Sequence, residues 1–146
     1  MGLDLSTENE DVRIGYIGIH FVRRNWIEAF IKHLEETKKH KKLLKILKDT
    51  IDRDKNPYCP AGINYQLFLS ILDHKKTDYN IFKGLDNFVT HSDCDGIWKP
   101  EEVKEMMETF NVIKPFLDKD RFKDDKYFLE DLFNDAIKSN CNIEFS

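Results

Sequence analysis

The sequence predicts a mostly α, α+β protein: a single compact domain, residues 1–146, of about five helices with a small sheet built from its two ends. Three observations carry that prediction. Apolar residues recur at helical spacing in five separate stretches; they take strand spacing at the termini; and a chain of 146 residues makes about one domain around one core. With 40% hydrophobic and 12% aromatic residues, the composition is that of a chain that folds alone.

Met1 to Ser6 alternates loosely and reads as a short strand, and Asn142 to Phe145 carries Ile143 and Phe145 at strand spacing, so the two termini are expected to pair. After an acidic turn from Glu8 to Asp11, the stretch Val12 to Ile19 is rich in β-branched and aromatic residues. Gly15 and Gly18 interrupt it, which predicts a strand or an irregular loop. The central helix follows from about His20 to Glu36, with Arg23, Ile27, Phe30 and Leu34 on its buried stripe and Ile31 widening it. A second amphipathic helix, from about Lys41 to Ile51, uses Leu43, Leu44, Leu47 and Ile51. Pro57, Pro60 and Gly62 break the loop from Asp52 to Gly62, and Leu67, Phe68, Ile71 and Leu72 mark a third helix. Between Lys75 and Gly84, Tyr79, Ile81 and Phe82 suit a turn, a short strand or one helical turn, and the stretch reads as a connector.

The clearest helix start is at Pro100, a first-turn proline followed by Glu101 and Glu102 near the positive end of the helix dipole. Val103, Met106, Met107 and Phe110 supply its buried face, and Pro115 ends or kinks it. The last helix, from about Asp124 to Asn140, places Phe128, Leu132, Phe133, Ala136 and Ile137 at helical spacing.

Charge and cysteine usage narrow the function classes. A net charge of −4 makes nucleic acid a poor expectation, since phosphate-backbone binding goes with a basic domain. Lys38, Lys39, Lys41, Lys42, Lys45 and Lys48 gather around His40, within a lysine-rich insert of roughly 38–83, and read as a solvated helix face and loop. Cys59, Cys94 and Cys141 form no C-x-x-C pair, and the first residues lack the charged-then-apolar pattern of a secretory signal, so reduced thiols in a cytoplasm are expected. Charged residues interrupt every hydrophobic stretch before the roughly 18 residues a membrane span needs, so no integral membrane segment is expected.

The most informative stretch is His91-Ser92-Asp93-Cys94-Asp95-Gly96-Ile97-Trp98-Lys99-Pro100-Glu101-Glu102. One reading is a calcium loop, with Gly96 as the sharp-turn residue and Asp93, Asp95 and Glu102 as oxygen ligands; His91 then stands where a first aspartate belongs. A second is the Asp-x-Asp pair of haloacid-dehalogenase-like phosphotransferases, Asp93 as nucleophile and Asp95 as acid/base. Those enzymes carry the pair after the first strand of a doubly wound sheet, and no βαβ alternation is visible here. A third is a zinc or iron site from His91 and Cys94 with a distant His74, His20 or Cys59. Against all three stands a packing reading: Asp93 and Asp95 make side-chain turns, Gly96 is left-handed, and Cys94 and Trp98 are core.

A second cluster spans Gly15 to Arg24, where a glycine-containing turn opens a helix and arginines lie in its first turns, an arrangement that can hold an anion. Arg23 and Arg24 are adjacent and point in different directions, so one of them at most faces a common site. Tyr16, Phe21 and Trp26 read as core packing, with Tyr16 also suited to stacking on a base. The chain has no H-E-x-x-H, no G-x-S-x-G, no P-loop and no G-x-G-x-x-G, so the common catalytic signatures are missing and an enzyme is the lesser reading.

Met1-Gly2-Leu3-Asp4, the Tyr16-Ile17-Gly18 helix opening and the His91-Ser92-Asp93-Cys94-Asp95-Gly96 loop together resemble a family of small, uncharacterised proteins of bacteriophages and bacterial prophages. The resemblance extends to the Pro100 to Phe110 helix and the closing Ile143 to Phe145 strand and leaves the insert unmatched. In that family an acidic residue usually follows the loop, where this chain has Ile97. The resemblance implies a phage origin, action in the cytoplasm of a bacterial host, and a shared site. By analogy with small phage proteins that sequester nucleotide signals of bacterial immunity, it also implies an anti-defence role.

The sequence therefore leads us to expect a non-catalytic binding protein whose Tyr16 to Arg24 turn and His91 to Gly96 loop meet and line one pocket. In it Tyr16 stacks, Arg23 or Arg24 neutralises a small anionic or nucleotide-like ligand, His91 with Asp93 reads hydrogen bonds, and His20, Ser92 and Asp95 complete the ligand-binding set. Arg24→Ala or His91→Ala should then abolish ligand retention with little change in melting temperature. The alternative is a protein-interaction module stabilised by calcium or zinc through His91, Asp93, Asp95 and Glu102. No cofactor is required by the first reading, and a homo-oligomer is compatible with either.

Overall fold

The structure, a computed structural model, describes residues 2–52, 54, 56, 59, 61–73, 79–92, 95–118 and 128–146, and at positions 2, 16, 72 and 73 the backbone alone. Along the chain the described elements are β1 (Gly2–Ser6), β2 (Asp11–Gly15), α1 (Tyr16–Thr37), α2 (Lys41–Thr50), α3 (Tyr65–Asp73), α4 (Phe82–Thr90), β3 (Gly96–Trp98), α5 (Pro100–Ile113), a 3-10 turn (Lys114–Phe116), α6 (Glu130–Ser139) and β4 (Ile143–Phe145). The protein is thus mostly helical with a small sheet made by the two ends of the chain, as expected. The sheet is antiparallel, in the order β2-β1-β4-β3.

Terminal pairing sets Leu5 opposite Phe145 and Ser6 opposite Glu144. Strand periodicity puts Leu3, Leu5, Val12, Ile14, Ile143 and Phe145 on one buried face, against which the helices pack. β3 was not expected: Gly96, Ile97 and Trp98 pair with Phe145, Glu144 and Ile143. Too short for an alternating signal of its own, β3 extends the sheet through β4 and buries Trp98.

α1 is the core helix, with Ile19, Val22, Trp26, Ile27, Phe30 and Leu34 buried along its inner face. It starts at Tyr16, four positions before the expected His20. Gly18 lies inside its first turn because β2 crosses close by: a Cβ there would come within 2.9 Å of the Ile14 side chain. Trp26 stacks on Phe88 of α4 at 4.1 Å and 9° and meets Phe110 of α5 and Phe133 of α6. Phe88 in turn lies against Trp98, which meets Phe145 edge-on, so aromatic contact runs from the helices into the sheet.

The helix α4 replaces the end of the expected connector. Phe82, Leu85, Phe88 and Val89 do lie at helical spacing, but Gly84 in a nine-residue segment masks it. α6 opens at Glu130, after Leu129 in a left-handed conformation (φ 63°). The expected start near Asp124 falls outside the described residues.

The β1–β2 turn is tied to α6 by one carboxylate. Asp135 accepts hydrogen bonds from Thr7 Oγ1, from Asn9 N at 3.2 Å and from Asn9 Nδ2 at 3.0 Å. Donation by Thr7, then by Asn9, holds the carboxyl below its ordinary pKa. A lowered folded-state value means that this stabilisation is present above the unfolded pKa of about 3.9 and is lost as pH falls through the folded value. Asp135→Ala should therefore melt below the parent at neutral pH, with a gap that shrinks as pH falls below about 4. A gap that stays constant across an acid titration of the melting temperature would show that the carboxylate charge is not what stabilises this turn.

Candidate functional site

The site is built around an arginine in a place meant for an apolar residue. Arg23 lies on the inner stripe of α1 and is only 2% exposed. One guanidinium nitrogen donates to the His91 carbonyl at 2.6 Å and reaches the Ser92 carbonyl at 3.5 Å. The other terminal nitrogen approaches the Tyr65 hydroxyl at 3.5 Å, with the guanidinium carbon 5.7 Å from the Tyr65 ring centre. The buried Nε has no hydrogen-bond partner, and among the described residues no carboxylate pairs with the group. A buried cation satisfied only by carbonyl and hydroxyl oxygens is held at a cost of several kcal/mol, about the penalty left when such an ion lacks its counter-charge.

Around it is a cleft of about 290 Å³ between α1, α3 and the end of α4. His20, one turn before Arg23, shares a 2.5 Å hydrogen bond with the Tyr65 hydroxyl. Asn64 caps the start of α3 by accepting from Leu67 N at 3.0 Å, which sets Tyr65 at the helix opening and Leu69 one turn on. Val89, Thr90, His91 and Ser92 form the facing wall, and no acidic side chain lines the cleft among the described residues. α4 stops at Thr90, and extended backbone at His91 (φ −66°, ψ 151°) turns the two carbonyls toward Arg23.

The structure thus brings His20, Arg23, His91 and Ser92 together. The imidazole of His91 does not act as the sequence suggested. Its ring stacks on Phe145 at 4.1 Å, and its two nitrogens lie 2.8 Å from the Ser92 carbonyl and 2.9 Å from the Ile97 carbonyl. The ring therefore fastens the loop to the sheet, and the residue contributes its main chain to the cleft. Gly96 sits in the left-handed region (φ +98°), and a Cβ there would come within 3.2 Å of the His91 ring, so the tight turn requires glycine.

The structure gives Arg24 a different task. It donates to Glu28 at 2.6 Å and to the carbonyls of Ile51 and Ala61 at 2.8 and 2.7 Å, binding the segment between α2 and α3 to α1. Arg24→Ala should cost about 1–3 kcal/mol, the worth of charged hydrogen bonds to partly buried carbonyls, and leave anion binding in the cleft in place. Chemical denaturation alongside a binding titration checks both halves; intact stability with lost binding would return Arg24 to the site. For Tyr16 the structure describes the backbone only, as the first residue of α1.

The expected metal ligands are differently engaged. Asp95 accepts from Ser92 Oγ at 3.0 Å, and Glu102 accepts from Lys99 N at 3.1 Å as part of the cap of α5. The carbonyl of Ile97, which a calcium loop would turn to the ion, faces His91 Nε2. Asp93 and Cys94 lie outside the described residues. Among the described residues, no three His, Cys, Asp or Glu side chains stand together as a metal-holding group.

Tyr65, Leu69, Val89 and Thr90 were not anticipated. Tyr65 and Leu69 come from the insert that the family resemblance leaves unmatched, and their signal is faint: an aromatic and a leucine off the Leu67, Phe68 and Ile71 stripe. Clefts of about 400 Å³ beside Cys141 and about 440 Å³ beside His40 are larger than this one, but no buried charged side chain lines either among the described residues.

Asp86 is the one described carboxylic acid whose pKa rises, pushed up to about 6 by burial. Among the described residues no donor to its carboxylate is found, and it carries no catalytic assignment. A raised folded-state pKa destabilises the ionised form: the folded protein loses stability as pH rises from the unfolded value through about 6. Asp86→Asn should gain about 1–2 kcal/mol at neutral pH, allowing for solvent that still reaches the group. The gain should vanish below about pH 4. Equal melting temperatures for the two proteins at pH 7.5 would rule this out.

Comparison with known protein families, with characterised proteins and with solved structures finds no match to this chain. The geometry of the cleft is what supports a functional reading.

Proposed function

We propose that this is a non-catalytic binding protein that holds a small anionic, nucleotide-like ligand in the cleft between α1, α3 and the end of α4. The observation that carries the reading is Arg23, a buried guanidinium with an orphaned Nε and, among the described residues, no counter-charge, beside an open volume. A ligand anion supplies the missing charge and so recovers part of what burial of the cation costs, a gain realised only on binding. His20 and Tyr65 add hydrogen bonds from the α1 and α3 sides. With the resemblance to phage and prophage proteins, retention of such a ligand would sequester a signal of host defence.

Native mass spectrometry of protein purified without added ligand or metal tests this directly. A small organic anion released on denaturation from the parent chain, and missing from Arg23→Met, is the expected result. Equal retention by both proteins would refute the role of Arg23. A mass lost to chelator instead would favour the metal-stabilised interaction module.

A further inference from the structure

We infer that the ligand of this cleft is an amphipathic organic anion, with a single anionic group for Arg23 and a flat or apolar body for Leu69 and Ile17. The inference rests on the reading of the cleft as an anion site and adds what the rest of the ligand must be. Arg23 is the one fixed cation on the walls; no lysine and no second arginine lines the cleft among the described residues. A second or third phosphate would enter without a further fixed charge to meet it, giving up hydration for nothing in return.

Leu69, half exposed at 50%, is a wall of the cleft, and Ile17, 60% exposed, lies three residues before His20 on the same side of α1. They are the two most exposed large hydrophobic residues among those described. Leu69, left this bare beside a cation with no counter-charge among the described residues, and Ile17, one helical turn from His20, would give the polar floor an apolar rim, the usual composition of a small-molecule site. The volume, about 290 Å³, lies at the lower end for such sites, which suits one ring system and not a dinucleotide. Each methylene that the rim covers should tighten binding about fourfold.

Isothermal titration of the full chain with inorganic phosphate, phenyl phosphate, benzoate, adenosine monophosphate and adenosine triphosphate reads the proposal out. Phenyl phosphate or benzoate should bind at least about tenfold tighter than inorganic phosphate, and the triphosphate no tighter than the monophosphate. Leu69→Ser, at a half-exposed position, should erase the advantage of the organic anion. Whichever of phenyl phosphate and benzoate wins names the anionic group as phosphate or carboxylate. Equal binding of inorganic and phenyl phosphate would overturn the amphipathic ligand and leave the anion site standing, as would a triphosphate preference of tenfold or more. Failure of every probe would overturn both.

Discussion

Gly84→Ala should lower the melting temperature of this protein by roughly 6–12 °C, a loss of about 3 kcal/mol or more at the scale usual for chains of this length. The Cβ it adds would stand 2.2 Å from both the Glu105 carbonyl oxygen and Thr109 Oγ1, and 2.7 Å from the Glu105 carbonyl carbon. Two of those three atoms are backbone, so no rotamer change relieves the contact and α4 must move off α5. That movement would disturb the hydrogen bond from Thr109 Oγ1 to the Ile81 carbonyl and the stacking of Phe88 on Trp26. Thermal melts followed by circular dichroism decide the matter. A shift under 2 °C would mean that the two helices are not in the close contact described.

Arg23→Met should separate binding from stability. Methionine fills much of the same volume without the charge, so the variant should melt no lower than the parent, because removing a buried cation that no described carboxylate compensates offsets the lost bond to the His91 carbonyl. Affinity for an organic anion should fall by about a hundredfold, the cost of deleting a charged partner from a buried pair. If Arg23→Met instead unfolds, Arg23 is a structural clasp and the cleft loses its main support as a site.

Much of the architecture is legible in the chain because it is written locally. Pro100 with Glu101 and Glu102 announces α5, and Ile143 and Phe145 at strand spacing announce β4. What escaped was dictated by distant neighbours. Gly84 looks like a helix breaker until α5 is seen to lie against it, and Gly18 likewise until Ile14 of β2 is in place. In the cleft, Arg23 is readable as the odd member of an apolar stripe. The inward course of its two partner carbonyls is not, since it depends on the His91 ring being held by Phe145, far away in sequence. Tyr65 comes from a helix whose packing against α1 no local pattern encodes.

The strand order carries a consequence for biosynthesis. β4 follows every other described element along the chain, yet it lies between β1 and β3 and is the neighbour through which β3 joins the sheet. A nascent chain can gather Trp26, Phe88 and Phe110 into a helical nucleus before β4 is made, since all three precede it along the chain. The His91 loop gains its backing only when Phe145 arrives. If the cleft holds an anion as proposed, competence to capture it would be acquired only after β4 has docked, and an intermediate with its helices formed but β4 unpaired would not yet bind.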